Sequence, residues 1–346
     1  MTARDRIVAF EGLGAELRMI LDKKSFTGVG EKLLEIYPSV HVGNAWFTES
    51  NVRHRLLAIA DILQPEILTK WLSRYVLPDG FSNKNIGVIV AGNIPLAGID
   101  DFMAVLLCGH SYCGKQSKDD SRLLPLIAEI LIEIEPRFKT RIVFTEGKLG
   151  KIDSVIATGS NNSSRYFEYY FSKYPYVIRK NRNCVAVLSG NETPEQLTAF
   201  GEDIFRYFGL GCRNVTKLFV PEGYVFDGLF EAVFHWGDEL MQNRKYMNNY
   251  EYNRTIYLLN SEKVLDNNFL VIKEDIGIAS PPGVLFFEYY SNIEHVEARL
   301  KNDREMIQCV VGETAITCTV PLGKAQQPPP WEYADSVDVI EFLLKQ

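Results

Sequence analysis

Ile86-Gly87-Val88-Ile89-Val90-Ala91-Gly92-Asn93-Ile94-Pro95 decides the fold class. Its continuous apolar run is the length of a buried strand. A glycine, an asparagine and a proline then end it, and apolar residues resume at helical spacing over about residues 99–107. The alternation continues downstream. Residues 110–115 fit a short strand, 121–135 a long helix, and 141–144 and 154–157 two more strands. Thr158-Gly159-Ser160 and a tyrosine-rich helix follow the last of these. Strands alternating with helices predict a parallel, doubly wound sheet. Such sheets bind ligands at the carboxyl ends of their strands, where Asn93 and Gly159-Ser160 fall.

Upstream, residues 7–21, 29–36, 52–63 and 65–75 carry apolar side chains three and four apart and read as a helical prelude. Downstream of residue 183 a second α/β series begins. Strands are expected at 184–188, 215–220, 270–272, 284–289 and 306–311, and helices at 194–208, 226–240, 293–300 and 337–344. The expected division is one domain over residues 1–182 and a second over 183–346 that includes the C-terminal tail. With 346 residues the chain is long enough for two cores.

The second domain is organised around Phe205-Arg206-Tyr207-Phe208-Gly209-Leu210-Gly211-Cys212-Arg213-Asn214-Val215. Thr193, Pro194 and Gln196 form the signature of a capped helix start. Leu197, Phe200, Ile204 and Phe208 then repeat on one side, with Glu202, Asp203 and Arg206 on the other, and Gly209 is expected to end the helix. Cys212 is thus presented on a glycine-flanked loop before a buried strand, as a nucleophilic thiol would be. Most cysteines are small buried hydrophobes, so the loop alone does not establish a nucleophile.

Composition excludes several classes. A formal charge of -7 with no basic run argues against nucleic acid. Six cysteines in a long chain without a signal-peptide pattern read as reduced thiols in a cytoplasm. No apolar run has the length of a membrane span. There is no GxGxxG, Walker loop or GxSxG. Cys108, His110 and Cys113 lie close together but lack a fourth ligand for structural zinc, so no metal is expected.

Four pieces occur in a telling order: Gly92-Asn93-Ile94-Pro95-Leu96, Lys115-Gln116-Ser117, Thr158-Gly159-Ser160, and Gly211-Cys212 with Lys217 five residues on. Together they resemble the aldehyde dehydrogenase superfamily, with its Asn-x-Pro loop, Lys-Pro-Ser loop, strand-end Gly-Ser and nucleophilic cysteine. Within it, residues 207–215, Trp46-Phe47-Thr48, Gly323-Lys324-Ala325-Gln326 and Tyr333-Ala334-Asp335 resemble the LuxC-like acyl-CoA reductases. The resemblance spans about residues 40–344 and implies an aldehyde-dehydrogenase-like α/β fold of two doubly wound domains with a helical N-terminal region. Its first domain would bind NAD(P) and its second would carry the catalytic cysteine.

The resemblance further implies Cys212 as nucleophile and Asn93 as oxyanion donor. Thr158, Gly159 and Ser160 would lie by the cofactor, Lys115 at its adenosine ribose, and Glu274 (or Asp275) at a ribose hydroxyl. Lys118 stands where NAD-preferring members often carry a carboxylate, which favours NADPH with NADH as the alternative. Read alone, Asn93 is also a turn residue before Pro95, and Lys115 and Lys118 also fit a solvated face. Aldehyde oxidisers of the superfamily carry a general-base glutamate upstream of the cysteine. The corresponding Val177-Ile178-Arg179-Lys180-Asn181-Arg182-Asn183 has no carboxylate, and an acyl-enzyme without a base is slow to hydrolyse. The expected reaction is reduction of an acyl-CoA or acyl-carrier thioester to an aldehyde. Reduction of an acyl phosphate, or a non-catalytic acyl- or nucleotide-binding subunit, are the alternatives. A homo-oligomer or a complex with an acyl-transferring partner is compatible with either.

Overall fold

Capped helices open the chain. The computed structural model describes residues 1–313, 316 and 319–346. Helix α1 (Ala3–Leu21) starts at Thr2, whose hydroxyl accepts from the Asp5 N–H while the Asp5 carboxylate accepts from the Thr2 N–H. Thr27 and Thr48 cap α2 (Gly28–Ile36) and α3 (Glu49–Ile62), and Pro65 opens α4 (Pro65–Leu72). Their inward residues, among them Phe10, Leu17, Leu33, Leu56 and Leu68, are buried in one core with the elements that follow.

Those elements are β1 (Asn85–Ile89), α5 (Ile99–Leu107), β2 (Ser111–Lys115), α6 (Leu123–Ile134), β3 (Ile142–Thr145), β4 (Ser154–Thr158), α7 (Asn161–Phe171) and β5 (Tyr176–Arg179). The strands pair in the order β3-β2-β1-β4-β5, all parallel. The chain runs outward from β1 through β2 and β3, then returns to β4 on the other flank. Right-handed crossovers therefore put α5 and α6 on one face and α7 on the other. A buried bidentate ion pair, Arg179 on Asp101 at 2.6 and 2.8 Å, ties β5 to α5.

The second unit contains β6 (Asn183–Val187), α8 (Pro194–Phe205), β7 (Val215–Pro221), α9 (Asp227–Val233), α10 (Gly237–Gln242), α11 (Arg244–Leu259), β8 (Val264–Asp266), β9 (Val271–Glu274), β10 (Val284–Tyr290), α12 (Ile293–Asn302), β11 (Ile307–Val311) and β12 (Thr319–Val320). Among the described residues its sheet has the order β12-β11-β6-β7-β10-β9-β8, parallel except for the β8/β9 edge pair. Val185, Val187 and Phe219 line one of its buried clusters.

The boundary falls at residues 180/181, and the tail departs from expectation. Residues 329–346 belong with residues 1–180, and the second unit is 181–328. Helix α13 (Val339–Leu344) buries Val339, Ile340 and Leu343 in the first core. The Tyr333 hydroxyl accepts from Trp71 Nε1 at 2.7 Å, Tyr75 donates to Asp338 at 2.6 Å, and His110 Nε2 bonds the Leu343 carbonyl at 3.0 Å. These hydrogen bonds and the apolar face of α13 account for the tail's return. Local corrections are smaller. The 226–240 stretch is two helices joined by a 3-10 turn over Phe234–Trp236, and α11, β5, β8 and β12 are additional to the expected elements.

Candidate active site

In the first unit, the loops after β1, β2 and β4 share one edge of the sheet. Chain direction reverses between β1 and β4, so the crevice above those two strands is the topological switch point at which such sheets hold ligands. Asn93 lies exposed on the β1 loop, Lys115 is the last residue of β2, and Lys118 opens the turn that follows. Thr158 ends β4. Ser160 caps α7, its hydroxyl accepting from the Ser163 N–H at 3.2 Å. Gly159 passes so close to α7 that a Cβ there would stand 2.9 Å from the Phe167 ring. Backbone N–H groups at the start of α7 thus face the crevice edge, an arrangement suited to a pyrophosphate. The structure brings these six residues to one edge.

Cys212 lies in the second unit, on the turn leading into the amino end of β7, and is exposed. Helix α8 stops at Phe205, earlier than the apolar spacing suggests, and the chain turns through three left-handed residues. Tyr207, Phe208 and Gly209 have φ of 57°, 57° and 74°. Only glycine adopts this conformation freely, so the two buried aromatics are held in it by their surroundings.

Asn214 supplies much of that hold. Fully buried, its Nδ2 donates to the carbonyls of Arg206 at 2.8 Å, Asp203 at 3.2 Å and Ile204 at 3.3 Å. Its Oδ1 accepts from the Gly211 N–H at 2.8 Å. The Asn214 N–H closes the turn on the Gly211 carbonyl at 3.0 Å, and its own carbonyl accepts from the Cys184 N–H of β6 at 3.1 Å. One side chain thereby fastens the helix end, the left-handed turn and the cysteine turn together.

Asp203 corrects the sequence reading, which set it on the polar side of α8. It is fully buried and accepts from the N–H groups of Gly323 at 2.6 Å and Ala325 at 2.9 Å. Burial pushes its carboxyl up to about 7 despite those bonds. Arg213 donates to the Ala325 carbonyl at 3.3 Å, and Gln326 to the Arg213 carbonyl at 3.0 Å. The Gly323-Lys324-Ala325-Gln326 segment is therefore bound directly to the cysteine turn. Gly323 needs its glycine: φ is 78°, and a Cβ would sit 2.8 Å from Ala199. Lys217 is fully buried two residues into the core of β7, paired with Glu288 at 2.7 Å and donating to the Asp275 carbonyl, and burial pulls its pKa down.

Glu274 is not brought to the cysteine. It ends β9, in register with Phe287 and through it with Leu218, whereas Cys212 precedes the amino end of β7. Six residues separate Cys212 from Leu218, which along a strand is on the order of 15–20 Å. The segment that adjoins the cysteine turn is Ser280-Pro281-Pro282-Gly283, which lines a cavity of about 20 Å³ with Phe208, Gly209 and Val215. The Asp275 carboxylate is engaged by Lys273 at 2.6 Å and the Gly277 N–H at 2.8 Å. The expected role of Glu274, at a cofactor ribose, does not require it to adjoin Cys212. Among the described residues no group of His, Cys, Asp and Glu could hold a metal, and no helix is long and apolar enough to cross a membrane. Cys318 lies outside the described residues, and the other five cysteines are unbridged.

No family model and no curated protein matches the chain. Solved structures match its shape. Aldehyde dehydrogenase 21 from Physcomitrella patens, in complex with the reaction product succinate, aligns with 97% of this chain and 84% of its own, with a TM-score of 0.66 and 12% identity. The NAD-dependent aldehyde dehydrogenase from Sinorhizobium meliloti aligns over 86% and 68%, with a TM-score of 0.62 and 12% identity. An aldehyde dehydrogenase from Bacillus cereus in complex with NAD+ aligns over 87% and 70%, with a TM-score of 0.57 and 13% identity. At such identities the likeness concerns architecture: the chain has the aldehyde dehydrogenase fold, with a helical N-terminal region.

Proposed function

We propose that this chain reduces an acyl thioester, acyl-CoA or an acyl-carrier conjugate, to an aldehyde through an acyl-enzyme on Cys212, using NADPH. The observation that carries the reading is the exposed Cys212 on a turn clamped by buried Asn214, in a fold whose solved examples include NAD+ complexes. The Cys212 thiolate attacks the thioester carbonyl and expels the carrier thiolate, leaving the acyl group on sulfur. Asn93, from the β1 loop, would donate its amide to the oxyanion together with the Cys212 N–H, each such donor being worth about 3 kcal/mol.

The residues of the first unit fit a dinucleotide: the start of α7 for the pyrophosphate, Thr158-Gly159-Ser160 beside it, Lys115 for the ribose. A reduced nicotinamide bound there would supply the hydride that takes the acyl group to the aldehyde level. Lys118, exposed at the start of its turn, suits a 2′-phosphate. Glu274, at the end of β9, would take a ribose hydroxyl of the cofactor. The direction of reaction is supported by the end of β5 and its continuation, Arg179-Lys180-Asn181-Arg182-Asn183. It offers no carboxylate to activate a water, and Arg179 is committed to Asp101.

The test is intact mass after mixing the protein with decanoyl-CoA in the absence of reductant. An acyl adduct on the wild type and none on Cys212→Ala, discharged by NADPH with release of decanal, is the expected result. No adduct with any of several chain lengths would overturn the thioester reading and turn attention to acyl phosphates.

A further inference from the structure

Two loops of the first unit that the sequence presents as separate pieces are one assembly. Residues 90–98 follow β1 and residues 116–122 follow β2. Asp120, buried between them, accepts from the Leu96 N–H at 2.8 Å through one carboxylate oxygen, and its other oxygen reaches the Leu123 N–H of α6 at 3.4 Å. Leu96 has a φ of 55°. A leucine keeps that left-handed conformation only when its surroundings over-determine it. The bond from Asp120 falls on the amide of that same residue. Gly92 closes the contact from the other side, since a Cβ there would collide with the Ser117 and Asp119 side chains. Asn93 sits between the two fixed points, one residue after Gly92 and three before Leu96.

We propose that Asp120 is a positioning residue for Asn93. By holding Leu96 left-handed it sets the path of the 92–96 loop, and with it how the Asn93 amide is presented. This rests on the reading of Asn93 as an oxyanion donor given above. Both Asp120 oxygens are taken by main-chain N–H groups, so its influence passes through the backbone. An Asp120 that merely stabilised the fold would lower stability yet leave the acylation rate of the folded protein alone.

The experiment compares Asp120→Ala, Asp120→Asn, Asn93→Ala and the Asn93→Ala/Asp120→Ala double variant. Two readouts are taken: deuterium uptake by peptides spanning Leu96, and the rate of acyl-enzyme formation from decanoyl-CoA. Asp120→Ala is expected to raise uptake at Leu96 and slow acylation about tenfold, a fraction of the roughly 100-fold typical of losing an oxyanion donor outright. Asp120→Asn keeps an oxygen acceptor and should recover most of that loss. The double variant should be no slower than Asn93→Ala, because both changes remove one effect. If Asp120→Ala fails to fold, Asp120→Glu displaces the carboxylate and is expected to behave likewise. Unchanged uptake at Leu96, wild-type acylation by folded Asp120→Ala, or slowing that multiplies on top of Asn93→Ala would each overturn the proposal. Wild-type acylation by Asn93→Ala would instead overturn the oxyanion reading on which it rests. The two failures differ in which single variant keeps the wild-type rate.

Discussion

Replacing Asn214 by alanine tests whether the cysteine turn is held as described. The change deletes an acceptor at 2.8 Å from the Gly211 N–H and donors to three carbonyls, the shortest at 2.8 Å to Arg206. Each net hydrogen bond is worth about 1 kcal/mol, and a stranded buried N–H costs a further 1–3 kcal/mol or so. Four bonds and one stranded group put the loss in the second unit at about 6 kcal/mol. With a urea m-value of about 2 kcal/mol/M, the midpoint should fall by about 3 M. Unfolding of this unit is best followed by hydrogen exchange in β7 peptides, because two units need not unfold in one step. Asp is the sharper substitution. It keeps the acceptor for Gly211 but turns a bare carboxylate oxygen toward the carbonyls of Asp203, Ile204 and Arg206, so at neutral pH it should be at least as damaging as alanine. Protonation at low pH should partly restore it. A midpoint within about 0.5 M of the wild type for Asn214→Ala, or a wild-type Asn214→Asp, would refute the account of the clamp.

Asp203 gives a pH dependence of definite sign. Its folded carboxyl at about 7 lies above the ordinary value of 3.8, so its contribution is fully present below about pH 4, is lost as pH rises toward 7, and then levels off. The full span is about 4 kcal/mol. Asp203→Asn should flatten the urea midpoint between pH 5 and 8 on this account, and an unchanged slope would contradict it. Lys118→Glu should move cofactor preference from NADPH toward NADH, read as the ratio of kcat/KM for the two, and an unaltered ratio would remove the argument from the 2′-phosphate.

Much of the first unit was legible because buried parallel strands are continuous apolar runs, and the start of α8 in the second because Thr193 marks its cap. What escaped had weak local signals. Helix α11 buries Tyr246 and Tyr250 along its length and is otherwise largely polar, so it shows no clear stripe. Phe208 continues the apolar spacing beyond Phe205, where α8 ends. Competition for the carbonyls of residues 203, 204 and 206 comes from Asn214, beyond the helix. The polar pair Arg213-Asn214 between the cysteine and the strand was the available clue to Asn214. Asp203 gave none, since its partners at Gly323 and Ala325 lie 120 residues or more away in sequence.

The return of residues 329–346 to the first unit bears on how the protein is made. Residues 181–328 are, in chain order, an insertion within a unit whose closing helix is translated after them. At about 5–20 residues per second, some 10–30 s pass between completion of β5 and emergence of α13. Throughout that interval the groove destined for Val339, Ile340 and Leu343, together with the Trp71, Tyr75 and His110 side chains that await the tail, stands open on the nascent chain. A ribosome-bound intermediate stalled before residue 329 would therefore carry an apolar seam that the finished protein never shows.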